Sequence, residues 1–163
     1  MKESIGGTQI FIIVIVLVLL FTGIMAFTIN RSNAFSVKDQ LVSILERAGG
    51  FDMSSEIVGG VLNGDDALEE IVEALTHNSY RQTGQCPSSN GADYMVTAYQ
   101  RNGTQTVGNN DASFCIVRIS SKNPKGTPQS YYYQIIVFYT LDLPVLKEVF
   151  SFRAVGETKA LYS

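Results

Sequence analysis

The side chains best equipped for chemistry are two cysteines, one histidine and a few clustered carboxylates. Cys86 and Cys115 are the only cysteines in the 163 residues. Joined as a disulfide they would close a loop of about 30 residues, worth roughly 3 kcal/mol on the chain-entropy model. That bond requires an oxidising compartment; in a reducing one the pair stays as two thiols, one in a loop and one in a strand. Two thiols and one distant imidazole do not make the four-ligand set of a zinc site. His77 is the only histidine. A catalytic imidazole needs a nucleophile beside it and an acid to orient it. No motif around His77 supplies either, and its place at a helix end suits a simple cation. Glu69, Glu70 and Glu73 fall on the outer face of a helix's early turns, where carboxylates favour the helix dipole. Asp52, Asp65 and Asp66 lack the spacing of a calcium loop. The glycines are scattered, with no Gly-x-Gly-x-x-Gly turn to cradle a phosphate. The reading is therefore a chain without enzyme activity, cofactor or metal. Asn102-Gly103-Thr104 fits an N-glycosylation acceptor and, equally, a turn. A net charge of −3 and a pI near 5.1 offer no basic face for nucleic acid.

What must position these residues is dominated by Ile10 to Ile29, which runs without a charged side chain. As a helix of about 1.5 Å rise per residue it would span about 30 Å, the thickness of a bilayer's hydrocarbon core. It is too long for the apolar core of a secretory signal, and Ile24-Met25-Ala26 is a poor cleavage triplet. An uncleaved anchor is one reading. Residues 1–9 form a short polar leader, and removal of only its first few residues by a peptidase cutting at Gly6-Gly7 is the other. Thr22, Gly23 and Ala26 place small residues near one another on this helix. Such residues either admit a neighbouring helix or are ordinary scatter. Lys2 before the span and Arg31 and Lys38 after it code orientation weakly. The short N-terminal segment and the cysteine pair favour a cytoplasmic N-terminus with the remainder outside the cell membrane.

No proline or glycine interrupts Met25 to Ala48. Phe35, Val37, Leu41, Ile44, Leu45 and Ala48 recur at helical spacing, so residues 30–48 should extend the helix and lay one face on a domain. Gly49-Gly50 ends it, with a break near Asn30 to Asn33 as the alternative. Residues 49–163 then form an α+β head. Ser54 or Ser55 before Glu56 suggests a short helix. Asp65-Asp66 caps a second helix whose stripe is Ala67, Leu68, Ile71, Val72 and Leu75. After a loop from Thr76 to Ala92 the period changes to two. Strands are expected at Tyr94–Arg101, Ser113–Ser120, Ser130–Leu141 and Val145–Val155. Leu143-Pro144 breaks the third from the fourth, and Gly156 to Tyr162 continues the fourth after a bend. Short turns between successive strands make a four-stranded antiparallel meander.

This order of elements resembles the pilins and pseudopilins, whose long N-terminal helix is half membrane anchor and half spine of a globular head. Within that group it is most similar to the TadE-like pseudopilins, minor subunits of Tad (Flp) pilus systems. The residues that carry the likeness are Gly7-Thr8-Gln9 leading into the span, Phe27-Thr28-Ile29-Asn30-Arg31 into Val37-Lys38-Asp39-Gln40-Leu41, and the late run Phe150 to Lys159. The resemblance implies a pilin-like fold and a non-catalytic structural or accessory subunit of a pilus-like or secretion apparatus. Its partners would be membrane lipid and other pilin-like subunits or an assembly platform. Type IV-like pilins carry a glutamate early in the apolar run, and Ile10 to Leu20 holds none. A priming or accessory subunit that stays in the membrane fits that departure. The alternative is a stand-alone single-pass protein whose outer domain binds a ligand or partner.

Overall fold

The computed structural model describes residues 2–78, 80–122, 128–140 and 151–162. One helix, α1 (Lys2–Ala48), takes in the polar N-terminal residues, the apolar run and the amphipathic stretch without interruption, so there is no break at Asn30 to Asn33. Its threonines do not disturb it. The Thr22 hydroxyl donates to the carbonyls of Val18 and Leu19, both at 2.9 Å, and Thr28 donates to Ile24 at 2.9 Å. A hydroxyl bonded one turn back leaves no polar atom unsatisfied in apolar surroundings. Gly49 stops the helix: its φ of 74° is the left-handed conformation that glycine adopts freely.

The next segment departs from the sequence expectation. Ser54-Ser55-Glu56 does not begin a helix. It leads into a hairpin of β1 (Glu56–Val58) and β2 (Val61–Asn63), paired antiparallel. The turn is Gly59-Gly60, with φ of 60° and 84°. Positive φ at both central residues is what a two-residue hairpin turn needs, and the flanking valines and isoleucine prefer extended backbone. Helix α2 (Asp66–His77) follows. Asp65 caps it, its carboxylate accepting the Ala67 N–H at 2.9 Å. Ala67, Leu68, Ile71 and Leu75 are buried, and Val72 packs at the margin.

The sheet has the order β3 (Tyr94–Tyr99), β4 (Phe114–Lys122), β5 (Pro128–Thr140), β6 (Ser151–Glu157), all antiparallel. A two-residue strand, β7 (Leu161–Tyr162), pairs with β5 beyond the end of β6. The edge of the sheet is therefore one strand with a bend, as the sequence suggested for residues after Gly156. Thr158 fills the bend: the Tyr133 N–H donates to its hydroxyl at 3.0 Å, and the Thr158 N–H donates to the Tyr133 carbonyl at 2.9 Å. Of the expected fourth strand, the part from Ser151 onward is described and is extended as expected; Leu143-Pro144 and Val145 to Phe150 lie outside the described residues.

Strand alternation sorts the sheet into two faces. Phe114, Ile116, Ile135, Val137, Tyr139 and Ala154 meet α1 and α2, where Val37, Leu41, Leu45, Leu68, Ile71 and Leu75 complete the main core. Ala98, Cys115, Val117, Ile136 and Phe138 form a smaller cluster on the opposite face. Helix α1 packs tightly on the sheet at Gly156. A Cβ there would lie 2.6 Å from Val42 Cγ2 and 2.9 Å from Lys38 Cγ, so only glycine fits the approach.

Candidate functional site

Helix α1 is long and apolar enough to cross a membrane, and the place where its bare half meets the head is the most distinctive site in the molecule. From Ile10 to Phe21 every side chain is 43–66% exposed, so no part of the described head covers this stretch. The pattern changes at Gly23, which is buried. Ala26 and Phe27 are half-buried, Asn30 likewise, and Ala34 and Val37 are fully covered. These positions recur every three or four residues, one stripe turned toward the head. Phe27 anchors it. Its ring meets the Phe152 ring edge-on at 5.4 Å and the Tyr139 ring at 6.0 Å, while Tyr139 and Phe152 stack at 5.3 Å. Tyr139 and Phe152 are paired across β5 and β6, so the strand ends clasp the helix there. Arg153, next to Phe152, is exposed and shares a cleft of about 390 Å³ with Gln85, Phe138 and Phe152. One turn up α1, the exposed Arg31 lies over the Phe35 ring at 5.4 Å.

Of the residues singled out in the sequence, Thr22 is exposed, whereas Gly23 and Ala26 belong to the head-facing stripe. Gly6 and Gly7 lie within α1, and Gly7 is exposed with open space around it. Nothing in the sequence marks Phe27, Tyr139, Phe152 and Arg153 as a group. Aromatic residues at a strand end are visible in a sequence, but which turn of which helix they meet is a tertiary fact.

Cys86 and Cys115 are bonded, with Cα atoms 5.9 Å apart, and both are buried. The bond holds the Tyr80 to Ala92 loop over the smaller cluster of the sheet. Gly84 and Ala112 exchange backbone hydrogen bonds at 2.9 and 3.0 Å, and the Cys86 N–H donates to the Asn109 carbonyl at 2.7 Å. A Cβ at Gly84 would run into the Phe138 ring, so the loop can lie flat only with glycine there. Tyr80, at the start of the loop, is buried, and burial pushes its phenol pKa above the ordinary value.

His77 sits in the last turn of α2 and lines an open groove of about 470 Å³ between the two helices, with Gln40, Ser43 and Arg47 of α1 and Glu70 and Glu73 of α2. Arg47 and Glu70 form an ion pair across it, and Asn78 Nδ2 donates to Gln40 Oε1 at 2.7 Å. Among the described residues, no hydrogen bond joins His77 to Ser43 or Glu73, and no group of three or more His, Cys, Asp or Glu is placed to hold a metal ion. The shifted carboxylates have structural causes. The Ser54 N–H and hydroxyl hold Asp52 below the usual range; the Lys122 ammonium and the Ser120 hydroxyl do the same for Asp93. Tyr99 is raised by burial, its hydroxyl donating to the Ser55 carbonyl at 2.9 Å.

The fold and this seam define an α+β head built on one long helix whose N-terminal half is bare and apolar. Comparison with protein-family models, with curated proteins and with solved structures finds no match.

Proposed function

We propose that this protein is a non-catalytic, membrane-anchored structural or accessory subunit of a pilus-like or secretion apparatus, similar in kind to the TadE-like pseudopilins. The observation that carries the reading is the division of α1. From Ile10 to Phe21 it is apolar on every side, and from Ala34 it is the spine of the head, with no break between them. A domain tethered to a membrane needs only a flexible linker. A rigid continuation instead fixes the head's height and rotation relative to its anchor, which a repeating assembly or a docking platform requires. The apolar half holds the subunit in the cell membrane with its N-terminus cytoplasmic, and the disulfide-bonded head lies outside, where thiols are oxidised. Thr22 remains on the side of the helix open to a neighbouring subunit.

The mature N-terminus, read by mass spectrometry on protein recovered from its native membrane, tests this assignment. A chain beginning just after Gly6 or Gly7 supports pilin-type processing and subunit status. A chain that retains Met1, and that cross-links to no other membrane protein through its apolar helix, supports a stand-alone receptor. For that alternative the groove between α1 and α2 is the ligand-sized feature.

A further inference from the structure

The apolar run and the head overlap along α1, and the overlap fixes where the bilayer surface falls. This inference rests on the reading that Ile10–Ile29 crosses a membrane. Within the apolar run, only Ile10 to Thr22 is bare on all sides, a length of about 20 Å, against a hydrocarbon core of about 30 Å. From Gly23 onward one side of the helix is covered, with Tyr139 and Phe152 of the head against it at Phe27. The side it leaves open carries Ile24, Met25 and Ile29, each more than half exposed. If the head stood clear of the membrane on this helix, those three would face water. We propose that the end of the head around Phe27, Tyr139 and Phe152 is seated in the headgroup layer, with Arg31 and Arg153 at the level of the lipid phosphates.

Composition at this end agrees. Aromatic rings collect at membrane interfaces because their flat apolar bodies suit the boundary between acyl chains and headgroups. Phe152 is 37% exposed although it stacks on Tyr139 and meets Phe27. Arg31 is the first charged residue after the apolar run, about 6 Å along the axis from Phe27. Arg153 follows Phe152 directly, and both guanidinium groups are on long stems able to reach outward to phosphate. Among the described residues, Asp39 pairs with Lys38 at 2.7 Å and Glu70 with Arg47, both farther up α1 than Arg31. An apolar rim carrying arginines, continuous with a membrane helix, fits anionic phospholipid.

The chain contains no tryptophan, so Phe152→Trp gives a single reporter in the full-length protein. It would be reconstituted in phosphatidylcholine–phosphatidylglycerol vesicles whose acyl chains are brominated near the headgroup or near the bilayer centre. The proposal predicts blue-shifted emission, loss of more than half of it to the shallow bromines, and much less loss to the deep ones. Leu17→Trp is the control and should be quenched most by the deep bromines. If Leu17→Trp is quenched and Phe152→Trp is not, the head stands clear and the proposal fails while the membrane reading survives. If neither is quenched, the membrane reading itself has failed. Should Phe152→Trp not fold, Arg153→Cys carrying an environment-sensitive fluorophore replaces it, the native cysteines being bonded to each other. Its emission should then lose more than half its intensity to the same shallow bromines, and insensitivity to them would overturn the proposal.

Discussion

The two halves of α1 share one helix and much of one composition, yet each is arranged for different surroundings. From Ile10 to Phe21 leucine, isoleucine, valine and phenylalanine occupy every position, and all are exposed. From Ala34 to Leu45 the buried positions form one helical stripe, Ala34, Val37, Leu41, Ile44 and Leu45, packed against the sheet and α2, while Phe35 is left exposed. Burial follows the period of the pattern more than the amount of apolar side chain. An all-round apolar helix needs an apolar solvent; a striped one needs a single packed face. The change falls at Gly23, inside the uncharged run, because tertiary contacts begin before the run ends.

Substitutions that separate the halves give the largest expected effect. Leu41 is fully buried, so Leu41→Ala should cost the head about 2–5 kcal/mol, the range for deleting a buried leucine. Leu17→Ala should change head stability by less than about 0.5 kcal/mol, as substitutions outside packed contacts do. Urea unfolding in lipid nanodiscs, followed by tyrosine near-UV circular dichroism, measures both. Equal losses would erase the distinction between the halves. Next comes the disulfide. Replacing Cys86 and Cys115 by alanine should cost roughly 3 kcal/mol and concentrate proteolytic cleavage between Tyr80 and Ala92. Cleavage spread evenly over the head would show that the loop is held mainly by its backbone pairing with Ala112.

A smaller effect tests the seat of the striped half on the sheet. Gly156→Val puts methyl groups into Val42 and Lys38 and should cost about 1–3 kcal/mol, as overpacking does. Val42→Ala in the same chain should recover part of that loss, and a simple sum of two destabilisations would mean that the contact is not the cause. The smallest effect is acid sensitivity. Asp52 and Asp93 are held below the ordinary value of 3.8 in the folded head. Their stabilisation is therefore present above that value and is lost as pH falls through the lower folded values. Acid titration should loosen the head while the helical signal of the bare half persists, and Asp52→Asn with Asp93→Asn should flatten the pH dependence.

Much of this was legible in the residues. The absence of proline and glycine from Met25 to Ala48 announced a continuous helix, Asp65 its neighbour's cap, and the alternation from Tyr94 onward the strands. The hairpin at Gly59-Gly60 is masked in the sequence because Ser-x-Glu resembles a helix start. Two adjacent glycines between β-branched residues were the better signal, since only glycine takes positive φ twice in succession without strain. The seam was not legible at all. Period-two patterning shows which side of β6 is apolar, but not that Phe152 reaches Phe27 or that the head extends down to Phe27 within the uncharged run. Those facts depend on strand register and on how α1 crosses the sheet, which many distant contacts set jointly.

One unbroken helix joins the bare apolar stretch to the spine of the head. Spin labels at Val18 and Ser36, both exposed and on the same side of α1, report on it directly by dipolar distance measurement in nanodiscs. An unbroken helix predicts one narrow distribution centred near the five-turn separation of about 27 Å, with the label at Val18 relaxed by oxygen dissolved in lipid and the label at Ser36 by a water-soluble metal complex. A broad distribution, or two labels equally accessible from water, would contradict it.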